Sequence, residues 1–293
     1  MNDSPWMPVL LGLLAGMCFG VSVVVARFGL FRADARTGSL VSIATTACAY
    51  WVLFPFFLHE SVWTAPVLWR FVPLFALIGV FSPGLSLLLA FEGNRVLGPT
   101  LSATVASTAP LFAAIFAVAL LGEQPSLPVV LGTLAIVAGV IVLSWRGRSV
   151  RDWRLGAVLA LLGAAVIRGG VHIGSKVGFG LAEAPFTGAL VTFSASFAVM
   201  AAAYQLSGRR LPVSELKRVA PWFVLTGLLN GVGLLATYSA LSLGRVVVVS
   251  PMVSTYPLFT LGLASLLHFE RASRRVLLGV VMVVAGVAAI AAR

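Results

Sequence analysis

The chain's charged residues separate ten long apolar runs, and these runs restrict its possible folds more than any other feature. A helix needs about 20 apolar residues to cross a hydrocarbon core about 30 Å thick. Strands of a membrane β-barrel would instead alternate apolar and polar residues. The sequence therefore predicts an all-α integral membrane protein with ten transmembrane helices. The predicted spans are Met7–Ala26, Thr37–Leu58, Phe71–Phe91, Val96–Gly122, Gln124–Trp145, Leu155–Ser175, Ala184–Gly208, Val219–Gly244, Val246–Phe269 and Val276–Ala292.

The composition agrees with a chain that lies mostly in a lipid bilayer. Hydrophobic residues make up 60% of the chain and charged residues 10%, whereas soluble domains are about 45–50% apolar and about 25% charged. The connections between the runs are too short to hold a soluble catalytic or DNA-binding module. We therefore expect no nucleic-acid partner, although the formal net charge is +11.

The positive charges indicate an orientation in the membrane. Lys and Arg concentrate in the connections that follow the odd-numbered spans, and such an excess is typical of cytoplasmic loops. The even-numbered connections and the tails hold only Arg70, Lys176, Arg245 and Arg293. The distribution predicts a multi-pass protein of the cell (inner) membrane with cytoplasmic odd-numbered connections and both termini outside.

The two halves of the chain resemble each other in sequence. Because each half holds five predicted helices, an odd number, the second copy must enter the membrane from the opposite face. The predicted domains are therefore two inverted five-helix repeats, residues 1–148 and 149–293. The matching segments are STAPLF (107–112) with STYPLF (254–259), VAGV (137–140) with VAGV (284–287), and TGSLV (37–41) with TGALV (187–191).

An ordered series of short motifs runs through both copies. The first copy has Phe19-Gly20, Pro110, Leu121-Gly122-Glu123, Gly132 and Gly139, and the second has Pro257, Phe269-Glu270, Gly279 and Gly286. This series resembles the drug/metabolite transporter superfamily, EamA family. The resemblance implies two five-helix repeats and the export of amino acids or other small metabolites. It also implies cytoplasmic termini, which is opposite to the orientation that the charges predict.

Arg168 is the only formally charged residue inside a predicted span. A charge at membrane depth is costly and usually marks a functional site. The guanidinium could bind a substrate carboxylate or phosphate with paired hydrogen bonds, or it could snorkel outward or pair with backbone carbonyls. The resemblance implies a Trp at this position, so Arg168 departs from the family pattern. Since no Asp or Glu lies well inside a span, an anionic or zwitterionic substrate is favoured.

Several further residues are candidates for the lining of a transport pathway. His172 follows Arg168 by one turn and could couple transport to protons, or it could simply be solvated or bonded to a carbonyl group. Asn230 could line a cavity or hold two helices together, and Phe19 and Tyr238 could supply aromatic walls.

Two prolines occupy equivalent positions in the two copies, and we expect Pro110 and Pro257 to kink or break the fourth and ninth spans. Such breaks would frame a substrate site at the membrane midplane. The hydroxyl groups beside the prolines could bind substrate, or they could satisfy the carbonyls that the prolines leave free. These hydroxyl groups belong to Ser107, Thr108, Ser254, Thr255 and Tyr256.

Glu123 and Glu270 stand at span ends beside helix starts, where a carboxylate is stabilised by the helix dipole. We therefore expect both to be structural caps. The glycines of the fifth and tenth spans would allow close packing, either within the molecule or between two subunits of a homodimer.

These features favour a secondary transporter that exports a small-molecule substrate by alternating access. The alternatives are an integral-membrane enzyme acting on lipid-like substrates, which would need clustered carboxylates, His pairs or a nucleophile, and a passive channel, which would need rings of polar residues. The sequence has no nucleotide-binding loop and no metal-ligand spacing. We therefore expect no cofactor, no metal and no catalytic residue.

The charge distribution makes one prediction about orientation. Alkaline phosphatase is active only outside the cytoplasm, so a phosphatase fused after Arg293 should be active if the C-terminus lies outside. The measurement is phosphatase activity in intact cells, with a fusion in the connection around Arg148 as the inactive control. An inactive C-terminal fusion would show that the orientation is opposite to the one that the charges predict.

Overall fold

A computed structural model describes residues 6–58, 65–97, 105, 108–144, 155–206, 213–266 and 274–291. All regular secondary structure in this part of the chain is helical. The first half contains α1 (Met7–Leu30), α2 (Ala35–Leu53), α3 (Ala65–Gly79), α4 (Ser86–Leu97), α5 (Ala109–Leu121) and α6 (Leu127–Ser144). The second half contains α7 (Leu155–Leu181), α8 (Pro185–Leu206), α9 (Val213–Leu243), α10 (Val246–Val253), α11 (Tyr256–Leu266) and α12 (Arg274–Ala291).

The lengths of the apolar helices confirm a helical membrane protein. Seven helical runs are long and apolar enough to cross a bilayer, namely Met7–Leu30, Ala35–Phe57, Pro66–Leu97, Gly156–Leu181, Pro185–Leu206, Lys217–Leu243 and Val246–Leu263. Three apolar helices are shorter, namely Ala109–Leu121, Leu127–Val142 and Leu278–Ile290. Crossing by these three, and with it the count of ten, stays a prediction.

The third span extends further than the sequence predicts. It was expected to end at Phe91, because two charged residues follow within one turn, yet α4 continues to Leu97. Glu92 and Arg95 form an ion pair of 2.6 Å on the outer side of this last turn. Because the pair lies on the outer side of the helix, the opposite face remains available to the interior of the protein.

The two halves pack against each other reciprocally. Helix α1 contacts α9 and α11, whereas α7 contacts α4 and α5; α2 contacts α8, and α6 contacts α12. Equivalent helices of the two halves therefore have equivalent partners: the helices that contact α1 correspond to those that contact α7. This is the pattern expected of an approximate two-fold axis between the repeats.

A phenylalanine wedged between two glycines shows the reciprocity at the level of side chains. The Phe223 ring of α9 is fully buried against Gly29 of α1 and Gly38 of α2, and a methyl group on either glycine would overlap the ring. The other half contains the same arrangement with the helices exchanged. The equivalent residues are Phe75 of α3, Gly178 of α7 and Gly188 of α8.

Hydroxyl groups donate to backbone carbonyls across the same helix pairs. Two side chains of α2 donate to α9, and their counterparts in α8 donate to α3. Because lipid offers no partners to polar groups, such bonds hold helices together at membrane depth. The bonds run from Ser42 to Phe223 (3.1 Å), from Thr46 to Gly227 (2.6 Å), from Thr192 to Phe75 (3.4 Å) and from Ser196 to Gly79 (2.5 Å).

A π-helical segment, Val80–Leu85, joins α3 to α4. The first half is one residue longer between Gly79 and Phe91 than the second half is between the equivalent Gly227 and Tyr238. A π-helical turn takes up one residue more than an α-helical turn. The segment thus accommodates the extra residue and restores the correspondence between the two halves.

Glycines also form the contact between α6 and α12. A methyl group on Gly132 would meet the carbonyl oxygen of Gly286, and one on Gly139 would meet the carbonyl oxygen of Gly279. The sequence left open whether this packing is internal or between subunits. The structure shows that these glycines pack within the molecule.

The reciprocal contacts predict equal effects of equivalent substitutions. Gly79→Ala and Gly227→Ala each place a methyl group against a backbone carbonyl, of Thr192 and Ser42 respectively. We expect each to destabilise the protein by about 1–3 kcal/mol, the usual cost of overpacking. Thermal unfolding in detergent measures the change.

Gly163 of α7 is the matched control, because nothing lies within 4 Å of a methyl group placed there. Gly163→Ala should be neutral or stabilising by roughly 0.5–1 kcal/mol, as expected for a glycine inside a helix. Unequal losses for the two test variants would contradict the reciprocal packing.

Candidate functional site

A cavity of about 140 Å³ lies between the two halves. Its wall is formed by α1, α4, α5 and the Val80–Leu85 segment of the first half and by α7 to α11 of the second. Among the described residues, the wall contains no Asp or Glu. Seven of the residues predicted from the sequence line it: Phe19, Arg168, His172, Asn230, Tyr238, Ser254 and Tyr256.

Arg168 lies at the midpoint of α7, which runs from Leu155 to Leu181. The helix continues beyond the predicted end at Ser175, so Arg168 is about 20 Å along the helix from either end. The side chain is half-buried in the cavity wall, and it forms a hydrogen bond with the hydroxyl of Tyr256, the first residue of α11. The guanidinium therefore faces a space shared by both halves at the middle of the bundle.

His172 lies one turn after Arg168 and is buried. Its Nδ1 is 3.1 Å from the hydroxyl oxygen of Ser250 in α10. Arg168 precedes His172 by one turn on the same face of the helix, where side chains lie roughly 5–6 Å apart. The two cavity-lining basic groups on α7 are therefore close enough for the charge of one to affect the charge of the other.

Asn230 both lines the cavity and joins two helices. The hydroxyl of Ser22 in α1 donates to Asn230 Oδ1 in α9 over 2.8 Å. The sequence left these two roles as alternatives, and the geometry allows both.

Asn94 is a cavity residue that the sequence analysis missed. Its amide nitrogen donates to the Val23 carbonyl over 3.3 Å, and its Oδ1 has no partner within the described part of the chain. It was missed because the third span was expected to end at Phe91. The equivalent position in the second half is Leu241, so comparing the copies residue by residue would have identified this polar substitution.

The hydroxyl groups near the two prolines divide into two classes. Thr108 and Thr255 donate to the carbonyls of Val105 (2.7 Å) and Met252 (2.8 Å), each three residues earlier, and neither lines the cavity. Ser254 and Tyr256 do line it. The candidate Ser107 lies outside the described residues.

Pro110 and Pro257 each occupy the first turn of a helix. Helix α5 begins at Ala109 after a turn at Thr108, and α11 begins at Tyr256 after a turn at 254–255. A proline is tolerated there because the first turn of a helix lacks intrahelical partners for its N–H groups. The ninth span is therefore broken, rather than kinked, beside the cavity.

Glu123 caps a helix of the opposite half. Its two carboxylate oxygens accept hydrogen bonds of 3.0 Å from the N–H groups of Val246 and Val247 at the start of α10. Nearby, Arg245 donates to the carbonyl of Gln124 over 2.7 Å. The cap was expected at a helix start, but its partner is distant in the sequence. Glu270 lies outside the described residues.

Two equivalent basic residues bind the ends of two equivalent helices. Arg27 of α1 donates to the Asn94 carbonyl of α4 over 2.6 Å. Lys176 of α7 donates to the carbonyls of Leu241 (2.9 Å) and Gly244 (2.8 Å) at the end of α9. A cation at a helix C-terminus compensates the partial negative charge of the last carbonyls. Each pair fixes one end of the bundle.

Aromatic rings border the cavity toward both ends. Toward the Lys176 end, Tyr238 contacts Phe75 and Phe179, with ring centroids 5.6 Å and 5.3 Å away, and its hydroxyl lies 3.1 Å from Thr192 Oγ1. Toward the Arg27 end, the equivalent pair is Phe91 and Phe223, whose ring centroids are 6.3 Å apart. The first end therefore has an additional ring and a hydrogen bond that the second lacks.

The described residues include no cluster of side chains that could bind a metal ion. No group of three or more His, Cys, Asp or Glu side chains occurs in the described ranges.

Comparison with known proteins identifies the family. A solved crystal structure described only as "Crystal structure of protein" has the same fold, with a TM-score of 0.72 at 20% identity, covering 96% of this chain and 95% of that chain. No curated protein matches the chain. The profile of the EamA-like transporter family matches residues 6–145 and again residues 155–292. The chain therefore belongs to the EamA-like transporter family, with one copy of the family's unit in each half.

Proposed function

We propose that the protein is a secondary transporter that exports small organic anions or zwitterions, such as amino acids, by alternating access. The observation that carries this proposal is Arg168, a half-buried cation at the midpoint of α7 in the wall of a cavity between the repeats. The described wall contains no carboxylate to neutralise it. A solute with a carboxylate or phosphate group would supply the missing negative charge.

The chemistry of the guanidinium supports a planar, oxygen-bearing ligand group. Arg has five N–H donors in a fixed fork that matches a carboxylate or phosphate in bidentate geometry. The bond to Tyr256 leaves donors of this fork available for such a group. The distance of about 20 Å to either helix end exceeds the reach of the side chain, which argues against snorkelling. Phe19, Ser254 and Asn230 line the same cavity and would contact the rest of the solute.

The reciprocal packing of the two halves supports alternating access. Two related halves can exchange conformations about a central site, so that each end opens in turn. The equivalent closures at the two ends are Tyr238 with Phe75 and Phe91 with Phe223. We include in the proposal ten crossing helices, the three shorter ones among them, and both termini outside the inner membrane. The enzyme and channel alternatives receive no support from the described wall, which has neither paired carboxylates nor polar rings.

Arg168→Ala should abolish transport without loss of expression, because it removes the cation that would bind the substrate. A screen of purified protein by thermal shift against amino acids, organic acids and nucleosides identifies the substrate, and flux is then measured in vesicles. Arg168→Lys should retain part of the activity, since it keeps the charge but loses the bidentate geometry.

Lys176→Ala is the matched control, because it removes a cation from the same face of α7 without touching the cavity wall. It should alter stability more than substrate affinity. Normal flux in Arg168→Ala, or equal loss of affinity in the control, would overturn the role of Arg168.

A further inference from the structure

The cavity wall carries one imidazole in the described part of the chain, and it belongs to His172. The ring is about nine-tenths buried, with 8% of the residue exposed, and its Nδ1 is 3.1 Å from the Ser250 hydroxyl. Arg168 precedes it by one turn on the same face of α7, where side chains lie roughly 5–6 Å apart. A titratable group thus shares the cavity with the proposed anion-binding group.

We propose that His172 is a proton-binding site and that one proton enters the cavity together with each anion that binds to Arg168. This inference rests on the transport function proposed above. The proton comes from a hydronium ion of the solvent, which loses one O–H bond and leaves as water, and it binds at Nε2, while Nδ1 keeps its contact with Ser250 and donates to the hydroxyl oxygen. No other bond is formed or broken.

The charges of the cavity explain why the two ligands would bind together. With the cavity empty, the imidazolium would stand beside the Arg168 cation in surroundings of low dielectric, and such like charges repel strongly. An anion on the guanidinium removes this repulsion. The loaded cavity, with one added negative and one added positive charge, then has the same net charge as the empty one.

The other groups around His172 in the described part of the chain offer no alternative counter-ion. Tyr238 of α9 and Tyr256 of α11 line the same wall as neutral hydroxyl groups, and Lys176 one turn later is bound to carbonyls of α9. Glu123 stands at the start of α10, one turn before Ser250, but both of its oxygens are bound to the helix N-terminus. Helix α5 carries no titratable residue. The charged residues of α3 and α4, namely Arg70, Glu92 and Arg95, are not in the wall.

Benzenesulfonate is a suitable probe, because it is a flat anion that stays ionised at every pH used. Its stabilisation of the purified protein is measured as the thermal shift with and without the probe, between about pH 5 and 8, where a histidine changes charge. Titration in weakly buffered solution with a pH indicator counts the protons taken up for each anion bound. The variants are Arg168→Gln, His172→Gln and Ser250→Ala.

For the wild type we expect affinity for the probe to rise as the pH falls, by up to about tenfold for each pH unit, which is the limit for one coupled proton. His172→Gln should still bind the probe, but with no pH dependence and no proton uptake. Ser250→Ala keeps the imidazole but removes the acceptor of its Nδ1–H group, so it should retain proton uptake with a smaller rise in affinity per pH unit than the wild type. His59→Gln, a histidine in the second predicted connection, should behave as the wild type.

Each result decides between the two proposals. Probe binding that depends on Arg168 but is equal at every pH, or that keeps its pH dependence in His172→Gln, overturns the role of His172 and leaves anion transport standing. Absence of any Arg168-dependent binding overturns the anion-binding function, and the proton site falls with it.

Discussion

The fold depends on close contact between backbones of α2 with α9 and of α3 with α8. The hydrophobic effect does not drive helices together inside lipid, so their association depends on packing and on hydrogen bonds between helices. Here a glycine allows the backbone of the neighbouring helix to approach closely. A hydroxyl group of that neighbouring helix then donates a hydrogen bond to the backbone carbonyl of the glycine. Thr46 with Gly227 and Ser196 with Gly79 are the two copies of this contact. Each of these contacts joins a helix of one half to a helix of the other.

The frame is symmetric, but the chemistry of the cavity is not. Arg168 and His172 of α7 correspond to Phe19 and Val23 of α1, so α7 places basic side chains in the wall at the two positions where α1 places apolar ones. An anionic solute of the proposed kind would have one preferred orientation, with its anionic group toward α7. The duplicated scaffold therefore retains the geometry of two equivalent halves, while only one of them places basic side chains at these two positions.

The sequence predicted what depends on composition and spacing, and it failed where contacts are distant. The helices could be predicted, because apolar runs that cross lipid must be helical. The repeat could be predicted, because the two copies keep similar sequence segments at equivalent positions. Arg168 stood out because no other span holds a charge. The sequence left two roles open for Thr255, and the turn before α11, which brings its hydroxyl to the Met252 carbonyl, decides between them. The sequence could not pair Glu123 with α10, because that contact joins the two halves.

In the proposed transport cycle, the difference between the two ends sets the free energy that substrate binding must supply. In a fully symmetric frame the two one-end-open states would have equal free energy, and only contacts without a counterpart would favour one of them. The Tyr238–Thr192 hydrogen bond is such a contact, and one bond of this kind contributes about 0.5–1.5 kcal/mol. Differential binding of that size is enough to shift the populations of two states several-fold. A carrier built on a nearly symmetric frame can therefore be switched by the modest binding energy of a small solute.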